Sequence, residues 1–347
     1  MRLRTTTVVF CLLPITALAG KARDPFAFRV RHAKRSDNLN IQGNSSSTVD
    51  YSTNSTYHVQ VHYEGESFFN DWNFESGSDP THGLVNYQSR GQALAKKLAY
   101  VKDGVTVLTV DTGPTLPANG KRDSVRIATK QAWNAGLFIA DFAYMPYGCS
   151  VWPAYWSVGP NWPNSGEIDI LEGVHNQAHN QYTLHTGIPC DLPSDSKNID
   201  AFGNLMWYKC QSQPTDNRGC GFSDPSDESY GAGFNTAGGG VLAHEYNSDH
   251  IKIWRFPRDK IPDDIKAQKP NPSSWPQPVA AWSSQYCDID KAVTQQSLVL
   301  DITLCGDWAG PAFGQSGCPG TCQQAIADPS NLVAAKWGIN YITVFQS

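Results

Sequence analysis

Three carboxylates, Glu167, Asp169 and Glu172, fall within the otherwise apolar, β-branched segment Gly166-Glu-Ile-Asp-Ile-Leu-Glu172. On a strand, residues 167 and 169 share a face and 172 points away, because successive side chains alternate. One extra residue in a β-bulge returns Glu172 to the side of the other two, and bulges are common beside active sites. Three acids on one face repel each other, a cost that persists where a reaction uses them. Paired carboxylates cleave glycosidic bonds: one attacks the anomeric carbon, and the other, kept protonated by a raised pKa, donates to the leaving oxygen. Near neighbours on one strand suit the short separation of a retaining enzyme, roughly 5–5.5 Å, better than the wider inverting gap. Asp169, lying between them, is placed to share a proton with a catalytic glutamate. The acids alone are equally consistent with a calcium site or a solvated acidic edge.

The aromatics favour the first chemistry. Trp152, Tyr155, Trp156 and Trp162 lie just upstream, in a chain with 11 Trp. Sugar rings stack their C–H faces on flat aromatics, and long clefts are lined this way. Any single Trp is more often a core residue. Tyr155 and Trp156 are adjacent on a presumed strand, so they face opposite ways and at most one lines a cleft.

The elements that must hold these residues read as β-structure. Short β-rich segments recur at 105–110, 124–129, 137–143, 168–171, 182–185, 251–256, 298–304 and 341–345, each bounded by Gly, Pro, Asn or Asp. The alternation Ile251-Lys-Ile-Trp-Arg-Phe256 implies one covered and one open face. Many short antiparallel strands in one long chain predict a sandwich or barrel. Residues 191–240, rich in Ser, Asp, Gly and Asn, read as a loop, and 257–278, with six prolines, as an excursion over the surface. The best helix candidate is 318–335, with Asp328 as a cap.

Composition places the chain in its compartment. Arg2 and Arg4, the apolar run from Thr7 to Leu18 and the small-residue site Ala17-Leu-Ala19 form a secretory signal peptide over residues 1–19. Residues 20–35 end in Lys34-Arg35, a dibasic pair that reads either as a propeptide cleavage site or as a chance pair in a solvated tail. Asn44 and Asn54 head glycosylation sequons in a lead-in over 36–56. Beyond residue 35 the chain carries 19 Lys+Arg and 31 Asp+Glu, a net of −12, which disfavours nucleic acid and anionic polysaccharides as ligands and leaves a neutral one. Other than the leader, no apolar run approaches the ~20 residues that span a bilayer. With Cys11 in the leader, eight cysteines remain, an even number that predicts disulfides over a metal cluster. Their pairing is not readable from spacing.

The residues Trp152-Pro-Ala-Tyr-Trp156 followed by Gly166-Glu-Ile-Asp-Ile-Leu-Glu172 resemble glycoside hydrolase family 16, most closely its secreted fungal endo-β-1,3(4)-glucanases, or laminarinases. The Glu-x-Asp-x-x-Glu form is the bulged version typical of laminarinases, where a lichenase shows Glu-x-Asp-x-Glu. Phe68-Phe-Asn-Asp-Trp-Asn-Phe74, Asp79-Pro-Thr-His-Gly-Leu-Val-Asn-Tyr87, Ser124-Val-Arg-Ile127, Leu184-His-Thr186, Ile251-Lys-Ile-Trp-Arg-Phe-Pro-Arg258, Leu304-Cys-Gly-Asp-Trp-Ala-Gly310 and Trp337-Gly-Ile-Asn-Tyr341 carry the resemblance over residues 57–347. It implies a single all-β catalytic domain, a concanavalin A-like jelly roll of two antiparallel sheets with a concave substrate groove. It also implies Glu167 as nucleophile, Glu172 as general acid/base and Asp169 as the assisting acid. His185 becomes a polar contact beside the site, Trp162 and Trp308 stacking platforms, the latter from a loop fixed by Cys305. Asn86 and Arg126 become hydrogen-bond partners for sugar hydroxyls, although a structural salt bridge explains Arg126 as well. No cofactor is implied; a structural calcium ion on the convex face occurs in parts of the family, with no ligand set readable here.

Two departures stand out, Tyr155 where the family commonly has Phe or Trp, and Glu245-Tyr-Asn247 where it commonly has Glu-Trp-Thr. The resulting expectation is a free secreted monomer that hydrolyses β-1,3- or mixed β-1,3/1,4-glucan internally. A cell-wall transglycosylase shares the same intermediate, and a non-catalytic glucan-binding protein would share the sandwich without using the acids.

Overall fold

Strands with apolar alternation send one face inward, and the inward faces of two sheets meet. The computed structural model describes residues 56–117 and 120–347; the signal peptide, the dibasic stretch and both sequon asparagines lie outside them. In chain order the strands are β1 His58–Glu64, β2 Trp72–Phe74, β3 Val85–Tyr87, β4 Ala99–Lys102, β5 Val105–Thr109, β6 Arg122–Ser124, β7 Arg126–Thr129, β8 Gly136–Tyr144 and β9 Val151–Val158. They continue as β10 Glu167–Glu172, β11 Gln181–His185, β12 Asn204–Trp207, β13 Cys220–Ser223, β14 Gly240–Tyr246, β15 His250–Pro257, β16 Ala280–Ser283, β17 Ser297–Leu304 and β18 Lys336–Gln346.

The sheet that carries β10, the concave one of the jelly roll that the resemblance implies, runs β12-β13-β11-β10-β9-β17-β7-β2. The convex sheet runs β16-β15-β14-β8-β18-β5-β4, with β1 added alongside β18. A separate parallel pair joins β3 to β6. Between the sheets Tyr155, Ile168, Leu171, Leu298 and Leu300 pack against Phe138, Phe142, Leu242, Ile253 and Ile342, each worth roughly 1.5–3 kcal/mol on full burial. The expected two-sheet sandwich is therefore present, with the acidic segment on β10, a strand paired on both sides.

Three local expectations need correction. Residues 191–240 are not all loop, because they contain β12, β13 and the short helix Gly231–Thr236. The edge strand β12 exposes Asn204 and Met206, so it lacks the buried alternation that marks a strand in sequence. The proline-rich excursion covers what the alternation of β15 marked as an open face: Trp275 packs edge-on against Trp254 (5.1 Å) and Phe256 (5.3 Å). Asp264 fixes that strap by accepting from the Ile265 and Asn271 N–H groups and from Trp275 Nε1. Finally, 318–335 is two short pieces, a helix Cys322–Ala327 capped by Thr321 and a 3-10 turn Pro329–Leu332 capped by Asp328. Pro329 disfavours helical geometry at Asp328 and has no N–H to continue the ladder.

The eight cysteines form four disulfides, Cys149–Cys318, Cys190–Cys287, Cys210–Cys220 and Cys305–Cys322. The Glu245-Tyr-Asn247 departure lies on β14, in the convex sheet, where the buried Tyr246 hydroxyl donates to the Trp133 carbonyl.

A buried histidine sets one pH dependence of the fold. His244 stacks on Phe138 (4.5 Å, 7°), and neither ring nitrogen has a hydrogen-bond partner among the described residues. Burial pushes its pKa down to about 3. The folded ring stays neutral while the unfolded chain takes up a proton below its ordinary value of 6.5, so stability falls as pH drops from 6.5 toward 3. His244→Phe removes this loss, and its melting advantage over the wild type should grow on acidification, by about 2 kcal/mol at about pH 5. A gap independent of pH would refute the assignment.

Candidate active site

The register of β10 places the three acids. Glu167 sits opposite Val158 on β9 and His185 on β11, and Asp169 opposite Trp156 and Thr183. Between Asp169 and Glu172 the register slips by one residue against both neighbours, so Glu172 faces Ala154 and Gln181. Ile170 and Leu171 both turn into the core, and the three acids share the concave face. The bulge inferred from the Glu-x-Asp-x-x-Glu spacing is thus present.

The acids are largely buried. The Glu167 side chain is 18% exposed and that of Asp169 3%. Burial, then the neighbouring Asp169 charge, pushes the Glu167 carboxyl up to about 8. Asp169 also rises to about 8, through burial and then Asp301. Glu172 stands well above the usual carboxylate range for the same first cause and then Asp169, opposed by the Trp152 Nε1–H that donates to its Oε1 at 2.9 Å. Groups this close release protons as a set, so the acids hold protons in common near neutrality. His185 Nε2 lies 3.4 Å from Asp169 Oδ2 and 3.9 Å from Glu167 Oε1. Its Nδ1 meets Ser212 Oγ at 3.3 Å, a tie from the β12–β13 loop that fixes the ring's orientation.

A family model described as the XgeA-like, catalytic GH16 domain matches residues 72–345. The chain belongs to glycoside hydrolase family 16. This family 16 chain is 39% identical to a probable glycosidase of Schizosaccharomyces pombe, over 84% of its own length and 70% of the relative's. It is 40% identical to a probable endo-1,3(4)-beta-glucanase of Aspergillus fumigatus, over 87% of its own length but 47% of that relative's. Among solved structures it is similar to GH16 Laminarinase 16A from Phanerochaete chrysosporium, determined with 6-O-glucosyl-laminaritriose in donor and acceptor sites. The TM-score is 0.80 at 37% identity, covering 84% of this chain and 99% of the other. It is equally similar to an elongating GH family 16 beta-1,3-glucosyltransferase, with a TM-score of 0.79 at 38% identity, over 84% of this chain and 100% of that one.

The remaining sequence candidates of the family 16 domain divide by face. Trp156 lies on the concave side beside Asp169; its Nε1–H donates to Asp301 Oδ2 at 3.1 Å and the Arg126 guanidinium stacks 4.9 Å from its ring. Arg126, 12% exposed, pairs with Glu75 at 2.7 Å and lies 3.8 Å from Asp301, so the salt-bridge reading of Arg126 describes its contacts. Trp308, on the helix Gly306–Ala312 that follows the Cys305–Cys322 bridge, meets Trp152 edge-on at 5.7 Å. Trp162 is 45% exposed in the β9–β10 connection, on the Glu167 end of the hairpin. Asn86 is exposed on β3, while its neighbour Tyr87 turns inward to hydrogen-bond Thr303 at 2.6 Å.

Tyr155 is a correction. It is fully buried between the sheets, edge-on to Phe142 at 5.2 Å, and is no substrate contact. Its hydroxyl has no hydrogen-bond partner among the described residues, a cost that an apolar ring at this position would not carry. Tyr155→Phe should leave KM unchanged and hold or raise the melting temperature, since an unsatisfied buried hydroxyl costs about 1–3 kcal/mol. A raised KM would return Tyr155 to the groove.

Asp301 went unread in the sequence. It is a lone acid in the apolar run Leu298-Val-Leu-Asp-Ile-Thr-Leu304 of β17, buried, and pushed up to about 7 by burial against the opposing Arg126 charge. A single charge inside a buried strand is the signal that would have found it.

Calcium takes six to eight oxygen ligands. Among the described residues the grouping of three His, Cys, Asp or Glu ligand atoms is Glu167, Asp169 and His185, within 4.8 Å of one another. Its imidazole does not suit a calcium ion, which takes oxygen ligands. On the convex side Asp141 is occupied by Arg258 and Asn340.

Proposed function

We propose that this family 16 domain is an endo-acting retaining hydrolase of β-1,3- and mixed β-1,3/1,4-glucans. The observation that carries it is the bulged β10, which collects Glu167, Asp169 and Glu172 on one face. The carboxylate form of Glu167, with the shared proton resting on Asp169, attacks C1 of the bound sugar, the C1–O bond breaks, and Glu172 gives its proton to the departing oxygen. Asp169 holds a proton toward Glu167, lowering the negative charge that Glu167 must carry as it ionises. Water then gives a proton to Glu172, attacks C1 and releases Glu167, so the anomeric configuration is retained. Trp156, Trp162 and Trp308 offer stacking faces, and no step requires a cofactor. The four disulfides support an exported enzyme. Among the described residues no helix is long and apolar enough to cross a membrane.

The test is reducing-end release from laminarin, mixed-linkage β-glucan and cellulose in parallel. Release from the first two but not the third is expected; silence on all three would overturn the hydrolase reading. The likeness to the elongating glucosyltransferase favours one second reading, transfer of the glycosyl group to a sugar hydroxyl in place of water. Products longer than the supplied laminari-oligosaccharide would establish it.

A further inference from the structure

The bulge that brings Glu172 beside Glu167 and Asp169 disrupts the regular ladder, and something must hold the freed backbone groups. Asn180, the residue before β11, does so. Its Oδ1 accepts the Glu172 N–H at 2.9 Å and its Nδ2 donates to the Ile170 carbonyl at 2.8 Å. Asn180 is fully buried, its own N–H donates to Ser229 Oγ at 2.9 Å, and its carbonyl accepts from the Asp224 N–H at 2.9 Å. Gripped through both backbone and side chain, its planar amide bridges residue 170 to residue 172.

We infer that Asn180 is the positioning residue for the proton donor. The two-point bridge sets the backbone at the bulge and therefore the direction in which Glu172 leaves the strand. Trp152 then steadies the far end of that side chain. The inference rests on the reading of Glu172 as general acid/base.

A residue that merely filled space would, on removal, lower every activity alike. A residue that aims a proton donor has another signature, because the loss follows how much the leaving group needs a proton. The experiment compares kcat/KM, which reports formation of the glycosyl-enzyme, on laminarin and on 2,4-dinitrophenyl β-laminaribioside, whose leaving group departs unprotonated. The ratio of the two is independent of how much enzyme is folded, so partial misfolding of a variant does not obscure it. Asn180→Ala, and the near-isosteric Asn180→Leu, which removes both contacts while filling the space, should lose about 10²-fold on laminarin. On the aryl substrate both should stay within about threefold. Equal losses on the two substrates, or no loss on either, would overturn the inference. Glu172→Ala is the control: if it too fails to discriminate between the substrates, the reading of Glu172 falls, and with it this one.

Discussion

Glu167→Ala and Glu172→Ala, each supplied with azide and an activated aryl β-laminaribioside, should give glycosyl azides of opposite anomeric configuration. With the nucleophile gone, azide attacks C1 directly from the vacated side and yields the α-azide. With the acid/base gone, Glu167 still forms the glycosyl-enzyme, which azide opens in a second inversion to yield the β-azide. Without azide, the Glu167 variant should lose on the order of 10⁴-fold or more, and the Glu172 variant about 10²–10⁴-fold on laminarin. The anomeric coupling constant of each azide product is the readout. The same anomer from both variants would break the division of roles across the bulge.

Glu167→Gln should be more stable than the wild type at neutral and alkaline pH. The Glu167 carboxyl is raised from 4.5 to about 8 in the fold. Below the unfolded value both states hold the proton and the group costs nothing. Between the two values the unfolded chain ionises while the folded one does not, so stability is lost as pH rises through that window. The full window, at 1.36 kcal/mol per unit, would be worth somewhat under 5 kcal/mol, an upper bound because protons are shared with Asp169. Glutamine keeps the shape and removes the ionisation. Melting curves of the two proteins should therefore coincide at about pH 4 and separate by several degrees at about pH 8. Parallel curves at all pH values would show that the acids are not held at this electrostatic cost.

The acids were legible because their spacing is local: a bulge reconciles the extra residue between Asp169 and Glu172 with a shared face, and the motif together with its upstream aromatics carries the family resemblance. Tyr155 and Trp156 show the boundary of such reading. Alternation said that one of them must turn away, but which one depends on the register with β17, set by residues about 145 positions later. Asp301 and Asn180 escaped for a related reason. Asp301 is a lone acid in an apolar run and Asn180 one of the polar run Asn176-Gln-Ala-His-Asn-Gln181, and each acquires its role only beside Trp156 and the bulge, after the sheet has formed. The edge strand β12 was hidden because an edge has little buried face to advertise, and Trp254 because the surface it covers belongs to a strap some twenty residues away.

Strand β10 is bonded along both edges in the middle of an eight-stranded sheet, whereas Trp162 and Trp308 stand on connections beyond the strand ends. Amides of β10 should be among the last in the molecule to exchange with deuterium, and those around the two tryptophans among the first. On the proposed reading, bond breaking and ligand choice would then depend on parts of different local stability. Insertions or replacements in the connections can alter which polymer is gripped, and over how many sugar units, at little cost to the strand that cuts it.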